Sequence, residues 1–214
     1  MSNQRISSLL EDAGNLDPAA GTAPPSQGLF DAKRVHDACG VGFIADLKSR
    51  TSHKIVSDAL EILENLEHRG AVGADPLMGD GAGILIQIPD AFLREECAKL
   101  KINLPKPGHY AVGHIFLPQD ERLRAHCERV WARLIRQEGL EFLGWRSVPV
   151  DNASLSQTVK DAEPVHRHLF IGRPKSMRDQ DEFERKLYLV RKVVSNALHD
   201  AYKGRDIGHY TVSL

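Results

Sequence analysis

Cys39 is the residue of this chain best placed for covalent chemistry. It stands in Asp37-Ala38-Cys39-Gly40-Val41-Gly42-Phe43, between two small residues that leave its sulfur and the preceding peptide bond open to attack. Thiolate is the reactive form, and even a few per cent of it at neutral pH is a strong nucleophile. The competing reading is a cysteine half-buried where a strand begins. Arg69 closes a predicted helix and there complements the helix dipole, worth a few tenths of a kcal/mol to about 1. Beside Cys39 it would instead favour thiolate and an anionic intermediate. The glycine-rich run Gly70–Gly83 invites a phosphate-binding reading, which the order of elements rejects. A phosphate cradle needs strand, turn, then helix N-terminus, whereas here the order is helix, loop, strand, without a Gly-Lys-Ser/Thr ending. Gly79-Asp80-Gly81-Ala82-Gly83 is left as backbone that takes positive φ or approaches something closely, either in tight packing or as a pocket wall.

Other chemistries find less support. His166 and His168 share a strand face but lack a third ligand at suitable spacing, so they read as surface or core residues rather than a zinc site. His36 and Cys39 are likewise set aside as a metal pair. Neither G-x-S-x-G nor HExxH occurs, and a papain-like Cys–His pair stays open only without the local signature around the cysteine. The three cysteines (Cys39, Cys97, Cys127) are odd in number and widely spaced, which argues against a disulfide framework or a CxxC knuckle and fits a reducing cytoplasm. A net charge of -1 implies no nucleic acid or membrane surface as partner, and no apolar run reaches bilayer-spanning length.

The elements that must position Cys39 follow from periodicity. Residues 1–38, rich in Ala, Gly, Pro, Ser and Asp, read as a disordered leader, either a plain tail or a segment that is removed. A buried strand is predicted over 40–46 and a helix from His53 to about His68, capped by Ser52 and stopped by Gly70. Its inward face is Ile55, Ala59, Leu60, Ile62, Leu63 and Leu66. Strand 84–88 and a short helix from Pro89-Asp90 to about Leu100 come next. Strand 110–117, helix 120–138, strands 142–150 and 164–171, helix 179–202 and a strand from His209 complete the chain. Cys127 falls on the inward face of its helix. Without strict βαβ alternation, a layered α+β sandwich is favoured over a doubly wound sheet.

These residues resemble a known family. His36-Asp37-Ala38-Cys39-Gly40-Val41-Gly42-Phe43, Leu66-Glu67-His68-Arg69-Gly70-Ala71-Val72-Gly73-Ala74-Asp75 and Gly79-Asp80-Gly81-Ala82-Gly83-Ile84 are similar to the start of the glutamate synthase large (alpha) chain. That segment is an N-terminal-nucleophile (class II) glutamine amidotransferase domain, and the resemblance runs from about Phe30 to Leu214. It implies a four-layer αββα sandwich, incomplete at the C-terminus, with a leader over 1–38 and the amidotransferase domain over 39–214. It implies removal of the leader, so that the α-amine of Cys39 becomes the base for its own thiol, which attacks the side-chain amide of L-glutamine. By the same resemblance Arg69 and Gly70 sit beside Cys39, and Asp80 and Gly81 shape the glutamine pocket. It further implies that ammonia passes to domains absent from this chain, where 2-oxoglutarate is aminated. Those domains carry FMN and an iron–sulfur cluster and work with a small subunit, while these 214 residues need no cofactor or metal. The family's carboxylate-gripping arginine, oxyanion-hole Asn-Gly pair and amine-binding aspartate would follow Leu214, so the segment alone is expected to be inactive on glutamine. The alternative is a catalytically inactive remnant that keeps the start of the fold as a binding module.

Overall fold

The computed structural model describes residues 40–66 and 81–214. They divide into two compact units, one holding residues 40–66 with Gly81 and Ala82, the other residues 83–214.

In the first unit, residues 40–45 run without sheet pairing, and Val41 and Phe43 are each 92 % exposed. A turn follows, closed by Ser49 N donating to Asp46 O at 2.9 Å. Asp46 organises it by accepting from Lys48 N and from the Arg50 guanidinium, which hold its carboxyl below the usual range, Arg50 most strongly. Helix α1 (His53–Asn65) then forms, with Ser52 at the N-cap position but making no side-chain cap bond. Its apolar stripe is real, yet no residue of the helix is buried and Leu60 is 47 % exposed. The predicted end at His68–Gly70 lies outside the described residues.

The second unit is a four-stranded antiparallel sheet with helices on both faces. Its elements are α2 (Asp90–Lys99), β1 (Tyr110–Leu117), α3 (Glu121–Gln137), β2 (Glu141–Ser147), α4 (Gln157–Ala162), β3 (Val165–Gly172), α5 (Gln180–Ala201) and β4 (Tyr210–Ser213), with strand order β2-β3-β1-β4. Caps set the long helices: the Asp120 carboxylate accepts from Leu123 N, and that of Asp179 from Asp181 N. Strand alternation divides the side chains between two cores. Ala111, Ile115, Leu117, Leu169 and Ile171 face α3 and α5, meeting Trp131, Ile135, Phe183, Leu187, Val190 and Val194. Tyr110 and Phe170 face the other way, packing with Leu93 and Cys97 of α2. A buried guanidinium, Arg146 on β2, ties that second face to Glu96 of α2 at 2.9 Å.

Two expected strands are absent. Residues 40–46 and 84–88 both alternate as strands should, but neither is hydrogen-bonded into a ladder, and Leu85 is 91 % exposed. Extended backbone becomes sheet only when a neighbour takes up its N–H and C=O groups. Among the described residues nothing does so for these two. A short helix that the periodicity did not predict, α4, is capped by the Ser156 hydroxyl accepting from Val159 N. The mixed helix and antiparallel sheet content agrees with an α+β fold.

Candidate active-site segment

The chain around the predicted nucleophile is shaped by a Gly-x-Gly spacing. In extended backbone residues two apart face the same side, and here both glycines lie against α1. A methyl at Gly40 would come within 2.7 Å of Leu66 Cδ2, and one at Gly42 within 2.5 Å of Ile62 Cγ2, so a side chain at either position makes its neighbour shift. Leu66 is the end of a flexible side chain, whereas Ile62 Cγ2 sits on a β-branched carbon that cannot swing aside easily. The residues directly after Cys39 are thereby packed on the last turns of the helix that leads, three residues beyond Leu66, to Arg69. Sequence reading noted Gly40 only as a small neighbour. The same-side spacing of Gly40 and Gly42 was the available signal for close packing.

Of the predicted site residues, Gly81 is described, while Cys39, Arg69, Gly70 and Asp80 lie outside the described residues. Gly81 has φ +103°, a backbone conformation that favours glycine, and no described residue lies close to it. Gly83 shows neither a positive φ nor a close neighbour. Among the described residues nothing crowds either glycine.

The other two thiols are closed to chemistry. Cys97 and Cys127 are fully buried, on opposite faces of the sheet. Burial pushes the Cys97 thiol up, and pushes that of Cys127 up to about 11. A thiol so far from ionising at neutral pH, and out of reach of substrate, is no nucleophile.

His166 and His168 share a face, as expected, and His114 joins them from β1. His114 Nε2 lies 3.3 Å from His166 Nδ1, a contact that needs one of the two nitrogens unprotonated. Burial, then His114 and Arg146, drives His168 down to about 4, and burial followed by His166 lowers His114. Among the described residues no group of three His, Cys, Asp or Glu has metal-holding geometry. The cluster is a set of partly buried rings, with His114 edge-on to Phe116 and His168 edge-on to Phe170.

Comparison with known proteins supplies the family. The family of class-II glutamine amidotransferases matches residues 39–214, beginning at Cys39 itself. The large chain of NADPH glutamate synthase from Bacillus subtilis (strain 168) is 46 % identical over 173 residues, covering 81 % of this chain and 11 % of that protein. NADH glutamate synthase from Schizosaccharomyces pombe is 37 % identical over 202 residues, covering 91 % of this chain and 9 % of its own length. Chloroplastic ferredoxin-dependent glutamate synthase 2 from Arabidopsis thaliana is 38 % identical over 192 residues, covering 86 % of this chain and 12 % of that protein. The chain thus spans about a tenth of the length of the curated relatives it matches. With the family match reaching from the predicted nucleophile to Leu214, the chain belongs to the class-II glutamine amidotransferases.

Proposed function

We propose that this chain is the glutamine-hydrolysing part of a glutamate synthase large chain, with Cys39 as nucleophile. The observation that carries the reading is the thiol inventory: Cys97 and Cys127 are sealed in the two cores, and the family match opens on the remaining cysteine. Removal of residues 1–38 frees the α-amine of Cys39. An α-amine titrates near ~8 and a thiol near ~8.5, close enough for the amine to take the thiol proton unaided. The thiolate adds to the side-chain amide carbon of glutamine. The amine returns its proton to the leaving nitrogen, ammonia departs and a thioester remains. Water then adds to the thioester, releasing glutamate and restoring the thiol.

Arg69 and Gly70, three and four residues beyond the helix end at Leu66, support the nucleophile, and Asp80 with Gly81 forms pocket wall. The positive φ of Gly81 suits a loop whose backbone must approach substrate closely. The domain starts at residue 39 and belongs to a four-layer αββα sandwich, in which the unpaired segments 40–46 and 84–88 become sheet. An iron–sulfur cluster does not fit the residues present, and the resemblance assigns it, like FMN, to other domains. Two of the three cysteines are buried on opposite faces of the sheet and cannot meet around one cluster. Those groups, the amination of 2-oxoglutarate and a small subunit belong to further domains and partners. The two free buried thiols suit a reducing cytoplasm. Among the described residues no helix is long and apolar enough to cross a membrane.

The test is a chimera in which residues 1–214 replace the matching start of the Bacillus subtilis relative, assayed for ammonia release from glutamine. The purified chimera is expected to begin at Cys39 by N-terminal sequencing. Cys39→Ala should lower release by more than ~10³-fold, while Cys97→Ala and Cys127→Ala keep most of it. Release surviving in Cys39→Ala would overturn the assignment.

A further inference from the structure

The register of the two central strands brings two loops to one end of the sheet. Tyr110 pairs with Gly172, so the residue before β1 and the residue after β3 are neighbours, and Arg173 N donates to His109 O at 2.9 Å. Between these loops is a cavity of about 410 Å³, within the range of small-molecule sites. Lys106 and His109 line it from the loop before β1, and Arg173, Lys175 and Arg178 from the loop between β3 and α5. Four cationic side chains and one imidazole therefore face a single space, against one carboxylate, Glu141 at the start of β2.

Such crowding of like charge is unfavourable unless something answers it. Among the described residues Lys106, Lys175 and Arg178 have no ion-pair partner, and Arg173 has no carboxylate. Arg173 Nη1 donates to the Gln180 side chain, Nη2 lies 2.8 Å from His109 Nε2, and its Nε is buried with no acceptor. Partial burial, then Arg173 and Lys106, holds His109 below its ordinary value, so the ring is kept neutral and accepts from arginine. Glu141 does not bridge to any of the four cations.

We propose that this cavity binds a small molecule bearing a phosphate group. Net positive charge from one carboxylate and four cations suits a dianion better than a monoanion. A guanidinium with an unused Nε–H and two mobile ammonium groups can donate to several oxygens of one tetrahedral group at once. Pro174 and Met177 leave an apolar wall for the organic part of the ligand.

Inorganic phosphate is the probe. In the full 214-residue chain, labelled with ¹⁵N, addition of phosphate at fixed ionic strength should shift the His109 ring and Arg173 amide signals along a saturable curve. Succinate, a dianion of different shape, should bind at least tenfold more weakly, and chloride should produce no saturable shift. Lys175 and Arg178 are exposed and unpaired, so Lys175→Gln with Arg178→Gln leaves the fold intact, as an unchanged amide spectrum elsewhere will show. That pair of changes should weaken phosphate binding tenfold or more, and Lys106→Gln should weaken it independently. Absence of saturation, equal response to succinate or chloride, or full binding by the variants each overturns the proposal.

Discussion

Strand β1 and the stretch after Cys39 carry the same kind of sequence and have opposite fates. Tyr110–Leu117 alternates apolar residues, pairs on both edges, and buries Ile115 and Leu117 completely. Residues 40–45 and 84–88 alternate as clearly, yet Val41, Phe43 and Leu85 are more than nine-tenths exposed. Each such side chain forgoes about 1.5–3 kcal/mol that burial would return. Alternation makes a segment competent for sheet, but pairing is what turns it into sheet. The contrast also separates stability from chemistry. The sheet unit closes two cores of its own, whereas the segment next to the nucleophile relies on glycine contacts with a helix that buries nothing.

Hydrogen exchange gives the widest separation between the two regions. Amides of β1 and β3 should exchange about 10³-fold or more slowly than those of residues 41–45 and 84–88, which have no ladder to protect them. Equal rates would dissolve the comparison. Within the sheet unit, Trp131→Ala should cost about 3–5 kcal/mol in a denaturant melt. The ring is fully buried, and its Nε1 donates to His209 Nε2 at 3.0 Å. Exchange at 41–45 should not change with it.

Acid should weaken the sheet unit next. Burial drives both His168 and His209 down to about 4, below the ordinary value near 6.5. Between those limits the unfolded chain takes up protons that the folded chain refuses. Stability is then whole above about pH 6.5 and is lost as pH falls toward 4. The two together contribute roughly 3 kcal/mol after allowance for their partial exposure. Urea midpoints between pH 7.5 and 4.5 measure it, and a midpoint that rises on acidification would reverse the sign. The smallest effect concerns the glycine contacts. Gly42→Ala, meeting the stiff Ile62, should speed exchange in α1 by about fivefold, near 1 kcal/mol, and Gly40→Ala, meeting flexible Leu66, by less. The opposite ranking would show that the contacts do not hold the segment.

Much of the sheet unit could be read from the chain because its signals are local. The helices predicted from residues 120 and 179 form, Gly139 follows α3 with φ +78°, and β1 falls on the predicted residues. The two failed strands mark the limit, since pairing depends on residues far away in sequence and periodicity does not report it. Helix α4 escaped notice because six residues are too few for a periodic signal. At the site, the family motifs pointed to Cys39, Arg69, Gly70, Asp80 and Gly81. Of these the described residues address Gly81, whose positive φ gives its glycine a conformational reason. The basic cavity left no motif, because its cations come from two loops joined only by strand register.

The strand order has a consequence for how the chain is made. β1 sits at the centre of the sheet, and neither of its neighbours is the strand that follows it in sequence. At roughly 5–20 residues per second, a ribosome delivers β3 several seconds after β1 and β4 later still. Through that interval β1 has an apolar face and no partner, and β2 emerges before the strand it will join. The second neighbour of β1 to arrive, β4, pairs Thr211 with Ile115. Assembly is therefore governed by non-local contacts, which places folding toward the millisecond-to-second end of the scale. A nascent chain halted before Val165 should engage holding chaperones, and one extended past Ser213 should release them.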